Sequence, residues 1–124
     1  MGITQFIEKV CVQTAVYWGS PVADGKGGST FADAVEISCR WEEKTQVISD
    51  SKGNEIISKA EILLTQDVDE EGWLFLGDLD DLDSAEELNP RTVEGAYRIV
   101  MVEKTPLFKS TTEFVHKAFL YKNR

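Results

Sequence analysis

A mainly β fold, a small antiparallel β-barrel or sandwich with one long loop and at most one short helix, is predicted by three features. Apolar and polar residues alternate with period two through most of the chain. Breaks rich in glycine or acidic residues separate the alternating runs, as turns separate strands. Only the stretch from Asp81 to Leu88 carries a helical pattern, and Pro90 stands behind it as a stop. The 124 residues have the length of one domain, and 42% apolar content supplies a core that needs no disulfide. A single domain over residues 1–124 is therefore expected, with no second domain, repeat or low-complexity segment.

The first strand is expected at Val10 to Val16, where Val10, Val12 and Val16 alternate with Cys11, Gln13 and Ala15. Residues 18–33 break the pattern with Gly19, Pro21, Gly25, Gly27 and Gly28, and read as a long connection bearing Trp18 and Phe31 near its ends. Connections of that length in a compact domain are usually functional or disordered. Val35, Ile37, Cys39 and Trp41 then alternate with Glu36, Ser38, Arg40 and Glu42, so this strand should be half-buried. Gln46 to Leu64 reads as a hairpin turning at Asp50-Ser51-Lys52-Gly53-Asn54, where Gly53 supplies a positive φ. Past the turn, Ile56, Ser58, Ala60, Ile62 and Leu64 share one face. Trp73 to Leu76 forms a short strand ended by Gly77, and Tyr97 to Val102 and Phe114 to Tyr121 complete the set. Cys11 and Cys39 read as buried free thiols.

Charge is distributed unevenly. Asp67 to Glu87 holds ten of the twenty-two acidic residues and no lysine or arginine, so the net charge of −9 comes from one segment. Trp73, Leu74, Phe75 and Leu76 lie within it and must pack, which pins the acids beside a folded element. The fixed negative field opposes nucleic-acid binding, and Arg40, Arg91, Arg98 and Arg124 form no cluster in sequence. Lys104, Lys109, Lys117, Lys122 and Arg124 give the opposite sign to the last twenty-one residues, which hold one acid, Glu113. Such a basic end suits contact with the acidic segment of a neighbouring copy, as in a ring. The N-terminal residues lack the basic start and apolar stretch of a signal peptide. No apolar run reaches the ~20 residues that span a bilayer, and Met1-Gly2 lacks the serine or threonine that myristoylation prefers. A protein of the reducing cytoplasm, without membrane attachment, is expected.

Motifs for chemistry are sparse. Asp67, Asp69, Glu71, Gly72 and Asp78 match the spacing of a calcium loop at positions 1, 3, 5, 6 and 12. Glutamate stands at position 5, aspartate at 12, and strands flank the segment where helices are required. An acidic turn is the expectation, and a calcium-dependent binding module stands as the alternative. Gly25-Lys26-Gly27-Gly28-Ser29 lacks the spacing and following helix of a phosphate loop. His116, the only histidine, sits mid-strand with no serine, cysteine or carboxylate in a motif beside it. Two cysteines and one histidine, far apart, do not make a zinc site. No catalytic residue, metal or cofactor is assigned.

Tyr17-Trp18-Gly19, Gly27-Gly28 with Phe31, Val35-Glu36-Ile37 and Arg40-Trp41-Glu42 form a progression. It continues through Asp50, Gly53, Glu55, Ser58, Ala60 and Ile62 to Asp67-Val68, Gly72, Phe75-Leu76-Gly77 and Asp81-Leu82. This pattern, over about residues 15–85, resembles the head-closure (stopper) and head–tail connector proteins of the tailed-bacteriophage neck. The C-terminal third is outside the resemblance. The likeness implies a non-enzymatic β-barrel with a long loop, assembled as a homo-oligomeric ring beneath the portal and its adaptor. Such a ring closes the head, docks the tail and passes DNA without sequence-specific binding, in the virion and, during assembly, the host cytoplasm. Interaction residues are then expected in the loop, at Trp18, Asp24, Lys26 and Phe31. Others are expected in the acidic segment, at Asp67, Asp69, Glu70, Glu71, Asp78, Asp80 and Asp81, on either the channel surface or an outer docking patch. Another virion role, as tail terminator or minor capsid protein, is the nearest alternative.

Overall fold

The computed structural model describes residues 10–19, 21–23, 25, 29–50, 52–106 and 114–121. Six antiparallel strands close a barrel: β1 (Gln13–Trp18), β4 (Val35–Ser49), β5 (Glu55–Leu64), β8 (Phe114–Tyr121), β7 (Ala96–Pro106) and β6 (Trp73–Leu76), in that order. Of the expected barrel or sandwich, the barrel is what forms. Closure removes the free edges of a six-stranded sheet, and irregularities in register help the strands bend round. They fall between Glu43 and Gln46 on β4, Ser58 and Ala60 on β5, and Ile99 and Met101 on β7.

The interior follows the alternation. Ile37, Cys39 and Trp41 of β4 face Ala60, Ile62 and Leu64 of β5, with Leu74, Ile99, Ala118 and Leu120 completing the core. The β4–β5 turn forms where expected, with Gly53 at φ 83. The Asp50 side chain accepts backbone N–H bonds from Lys52 and Asn54 at 2.9 Å each. Both cysteines are buried and free.

A second apolar cluster lies on the other side of β1 and β6. Val16, Trp18, Trp73, Val93 and Ala96 are its buried centre, with Phe31, Phe75, Leu79 and Leu82 packed around them. Its cover consists of 3-10 turns at Leu79–Asp81 and Pro90–Thr92 and the helix α1 (Ser84–Leu88). The single helix expected from Asp81 to Leu88 is thus split, because Asp83 caps α1 by accepting the Glu86 N–H at 2.8 Å. Pro90 opens a new turn instead of merely stopping the helix.

Three further expectations need correction. The first strand runs Gln13–Trp18, not Val10 to Val16, and Val12 is 79% exposed. Trp18 is the last residue of that strand, not part of a loop. The 18–33 connection contains a two-stranded ribbon, β2 (Val22–Ala23) with β3 (Ser29–Thr30), so it is partly structured. No helix among the described residues is long and apolar enough to cross a membrane.

Burial raises the acid groups of the interior. The Cys39 thiol is pushed up to about 11, chiefly by desolvation and then by Cys11, and the Cys11 thiol is raised by the same burial. Tyr17 is pushed up to about 12, again chiefly by desolvation. The folded state therefore holds protons that the unfolded chain has already released, and that advantage is lost as pH climbs through the folded values. Their contribution to stability should be constant below about pH 9 and decline from there through pH 11 and 12. Urea unfolding across that range checks it, and a flat profile up to pH 12 would contradict the buried thiol and phenol.

Candidate functional site

The acidic segment divides at β6. Asp67, Asp69, Glu70 and Glu71 precede the strand, whereas Asp78, Asp80 and Asp81 follow it. Four residues of extended chain separate the groups by about 13 Å, at the usual ~3.3 Å rise per residue. Calcium needs six to eight oxygens around one point. The spacing that suggested a calcium loop therefore stretches along a strand, and no group of three ligating side chains converges among the described residues. Calcium binding is not supported.

Each group is held by its own contacts. Asp67 approaches Lys104 (Oδ2 to Nζ, 3.4 Å) and His116 (Oδ1 to Nδ1, 3.2 Å). His116 thus has a carboxylate beside it, contrary to expectation. The partner lies far away in sequence, and the pairing of Leu64 and Lys104 with His116 brings it near. Asp69 donates its backbone N–H to the Tyr17 hydroxyl at 2.6 Å. Glu70 is half-buried in the turn. Beyond β6, Asp81 accepts the Asp78 N–H at 2.9 Å, and Leu79 donates its N–H to Glu36 at the same distance. Asp80 is exposed.

Glu71 is the one non-glycine described residue at positive φ, 69°. Its neighbour is constrained too: a Cβ on Gly72 would lie 2.7 Å from the Trp18 carbonyl oxygen. The chain turns here because Glu71 donates its N–H to Ile99 O (2.9 Å) while Ile99 returns one to Gly72 O (2.8 Å). The turn delivers the Glu71 carboxylate to Arg98, 3.3 Å away. That pair lies at the edge of a cleft of about 450 Å³ lined by Pro21, Phe31, Glu71, Trp73, Arg91, Arg98 and Tyr121. Arg98 lies over the Tyr121 ring at 5.0 Å, and Arg91 over Phe31 at 5.8 Å.

Two of the four arginines therefore share a site, although nothing in the linear order groups them. Arg98 arrives by register, opposite Trp73 across the β6–β7 pair. Arg91 arrives through the turn after α1. Cross-strand register is a non-local fact, so alternation alone gives no signal of this meeting. The nearest hint in the sequence is that Arg98 is the one charged residue in the run from Tyr97 to Val102.

Of the expected loop residues, Phe31 belongs to the cleft. Trp18 does not belong to a presented surface: it is fully buried, and its indole N–H donates to the Glu87 carbonyl at 2.9 Å. Its large apolar ring is worth more in the core than at a loop tip. Asp24 and Lys26 lie outside the described residues. Strand β3, not a helix, follows the Gly25 segment, as the poor phosphate-loop match implies. Of the basic C-terminal stretch, Lys104 and Lys117 are engaged within the chain, the latter with Glu61 at 3.2 Å. Lys109, Lys122 and Arg124 lie outside the described residues.

Comparison with known families, curated proteins and solved structures finds no match to this chain.

Left-handed backbone at Glu71 predicts an ordering of variants. Glu71→Gly and Glu71→Val both lose the Arg98 partner, but only the valine must hold a β-branched side chain at positive φ. The valine variant should be less stable than the glycine variant by about 1–2 kcal/mol in urea unfolding. Equal stability would remove the argument for a constrained turn.

Proposed function

We propose that this chain is a structural component of the tailed-bacteriophage neck, acting by fit against copies of itself and adjoining virion proteins. The observation that carries the reading is the coherence of the resembling residues in space. Tyr17 and Trp18 end β1, Val35 to Ile37 and Arg40 to Glu42 lie on β4, Asp50 and Gly53 make the β4–β5 turn, and Phe75 to Gly77 end β6. Strands β1, β4 and β5 are successive neighbours, and β6 adjoins β1, so these residues describe one continuous wall of the barrel.

The chemistry of the surface supports the same reading. A ring that lets DNA through must avoid phosphate ion pairs, and a chain of net charge −9 offers few. No pair of residues in the arrangement of nucleophile and base is evident among the described residues. Portal, adaptor and tail proteins are the partners in this reading, and the virion is its location. A tail terminator or minor capsid part would share the barrel, but no surface described here favours either over head closure.

Removing this chain from the genome that encodes it should yield heads that package DNA, then lose it, and carry no tails. Electron microscopy and nuclease sensitivity of purified heads read this directly. Tailed, infectious particles in normal yield would overturn the proposal.

A further inference from the structure

The two ends of β6 present opposite chemistries. At its start, Trp73 lines the cleft with Phe31 and Tyr121, and the guanidinium of Arg91 lies on Phe31. Arg98 is engaged by Glu71, but no carboxylate contact is recorded for Arg91 among the described residues. Arg91 is thus an exposed planar donor over an aromatic ring, with donor capacity for one carboxylate. The Glu71 carboxylate leaves the cleft about one positive charge, which suits a single aspartate or glutamate better than a phosphate dianion.

Past the other end of β6, that carboxylate is on offer. Asp80 is exposed and makes no recorded side-chain bond among the described residues, while Asp81 is occupied with the Asp78 N–H. Leu76, 42% exposed at the end of the strand, gives an apolar side chain in the same stretch. Among the described residues, Arg91 and Asp80, both carried by turns of the cover, form no ion pair with each other within one molecule.

We propose that the aromatic–arginine cleft is the docking site for the Leu76–Asp81 stretch of a second copy of this chain, with Asp80 pairing to Arg91. Charge complementarity between the two patches selects this occupant. Because the two patches differ, the contact is heterologous, head to tail, and repeats into a ring or an open string. It rests on the neck reading only in giving that reading's ring a specific contact.

Sedimentation velocity on the full chain tests it. Wild-type protein should self-associate with rising concentration, and added salt should weaken the association. Arg91→Asp and Asp80→Arg, each checked for unchanged near-ultraviolet circular dichroism, should each weaken it at least about tenfold. An equimolar mixture of the two variants should recover association, because each interface then pairs one acid with one arginine. Arg40→Asp, outside the cleft, should leave association near the wild-type value. A wild-type chain that stays monomeric at all concentrations and salts would overturn the proposal, as would variants that associate undiminished or a mixture that fails to recover. A monomeric chain that nonetheless binds tailless heads would sink this contact and leave the neck reading standing. Recovery in the mixture by a chain that never reaches heads would uphold the contact and sink the neck reading.

Discussion

Strand β1 is covered on both faces, and the placing of the 79–93 cover with its acids depends on that. Ala15 and Tyr17 point into the barrel, while Val16 and Trp18 point into the second cluster beneath the 79–93 cover. A strand buried on both sides must be apolar without alternation, and Ala-Val-Tyr-Trp is such a run. Trp18 adds one directed contact, its N–H to the Glu87 carbonyl, which ties the cover to the barrel. Leaving the buried indole N–H unpaired would cost about 1–3 kcal/mol. The cover carries five of the ten clustered acids, so the packing of β1 decides where much of the negative charge stands.

Strand β6 turns the same packing into two separate chemistries. Its inward residue Leu74 is fully buried in the barrel, and its outward residue Trp73 is buried under the cover, so neither end can shift independently. The Glu71–Gly72 turn feeds into it at one end and the Asp78–Asp81 turn leaves at the other. A single acidic stretch in sequence thereby becomes a carboxylate engaged with arginine in a cleft and a separate exposed carboxylate. Electrostatic patterning here is a product of strand geometry as much as of composition.

The residues that sequence reading placed well are those governed by local rules. Ile37, Cys39 and Trp41, the Gly53 turn and the Ser58-to-Leu64 face all depend on period two and on turn chemistry. The glycines and proline after Trp18 look like loop, whereas tertiary burial on two sides extends the strand through it. The helix boundary moved because Asp83 competes for the backbone as a cap, which splits one acidic run into a 3-10 turn and a short helix. The Asp67–His116 contact and the Arg91–Arg98 cleft join residues far apart in the chain. No local pattern encodes such meetings, since register across strands sets them.

Hydrogen–deuterium exchange on Trp18→Phe tests most directly whether the indole bond fastens the cover to the barrel. Phenylalanine keeps an aromatic filler and removes the N–H, so amides in the cover, including those of Glu86, Glu87, Asn89 and Val93, should exchange faster. Amides of β5 and β8 should keep their protection, because the barrel core does not include that bond. Unchanged exchange in the cover, or loss of protection throughout the barrel, would contradict a scaffold in which Trp18 anchors the acidic surface to an independently stable barrel.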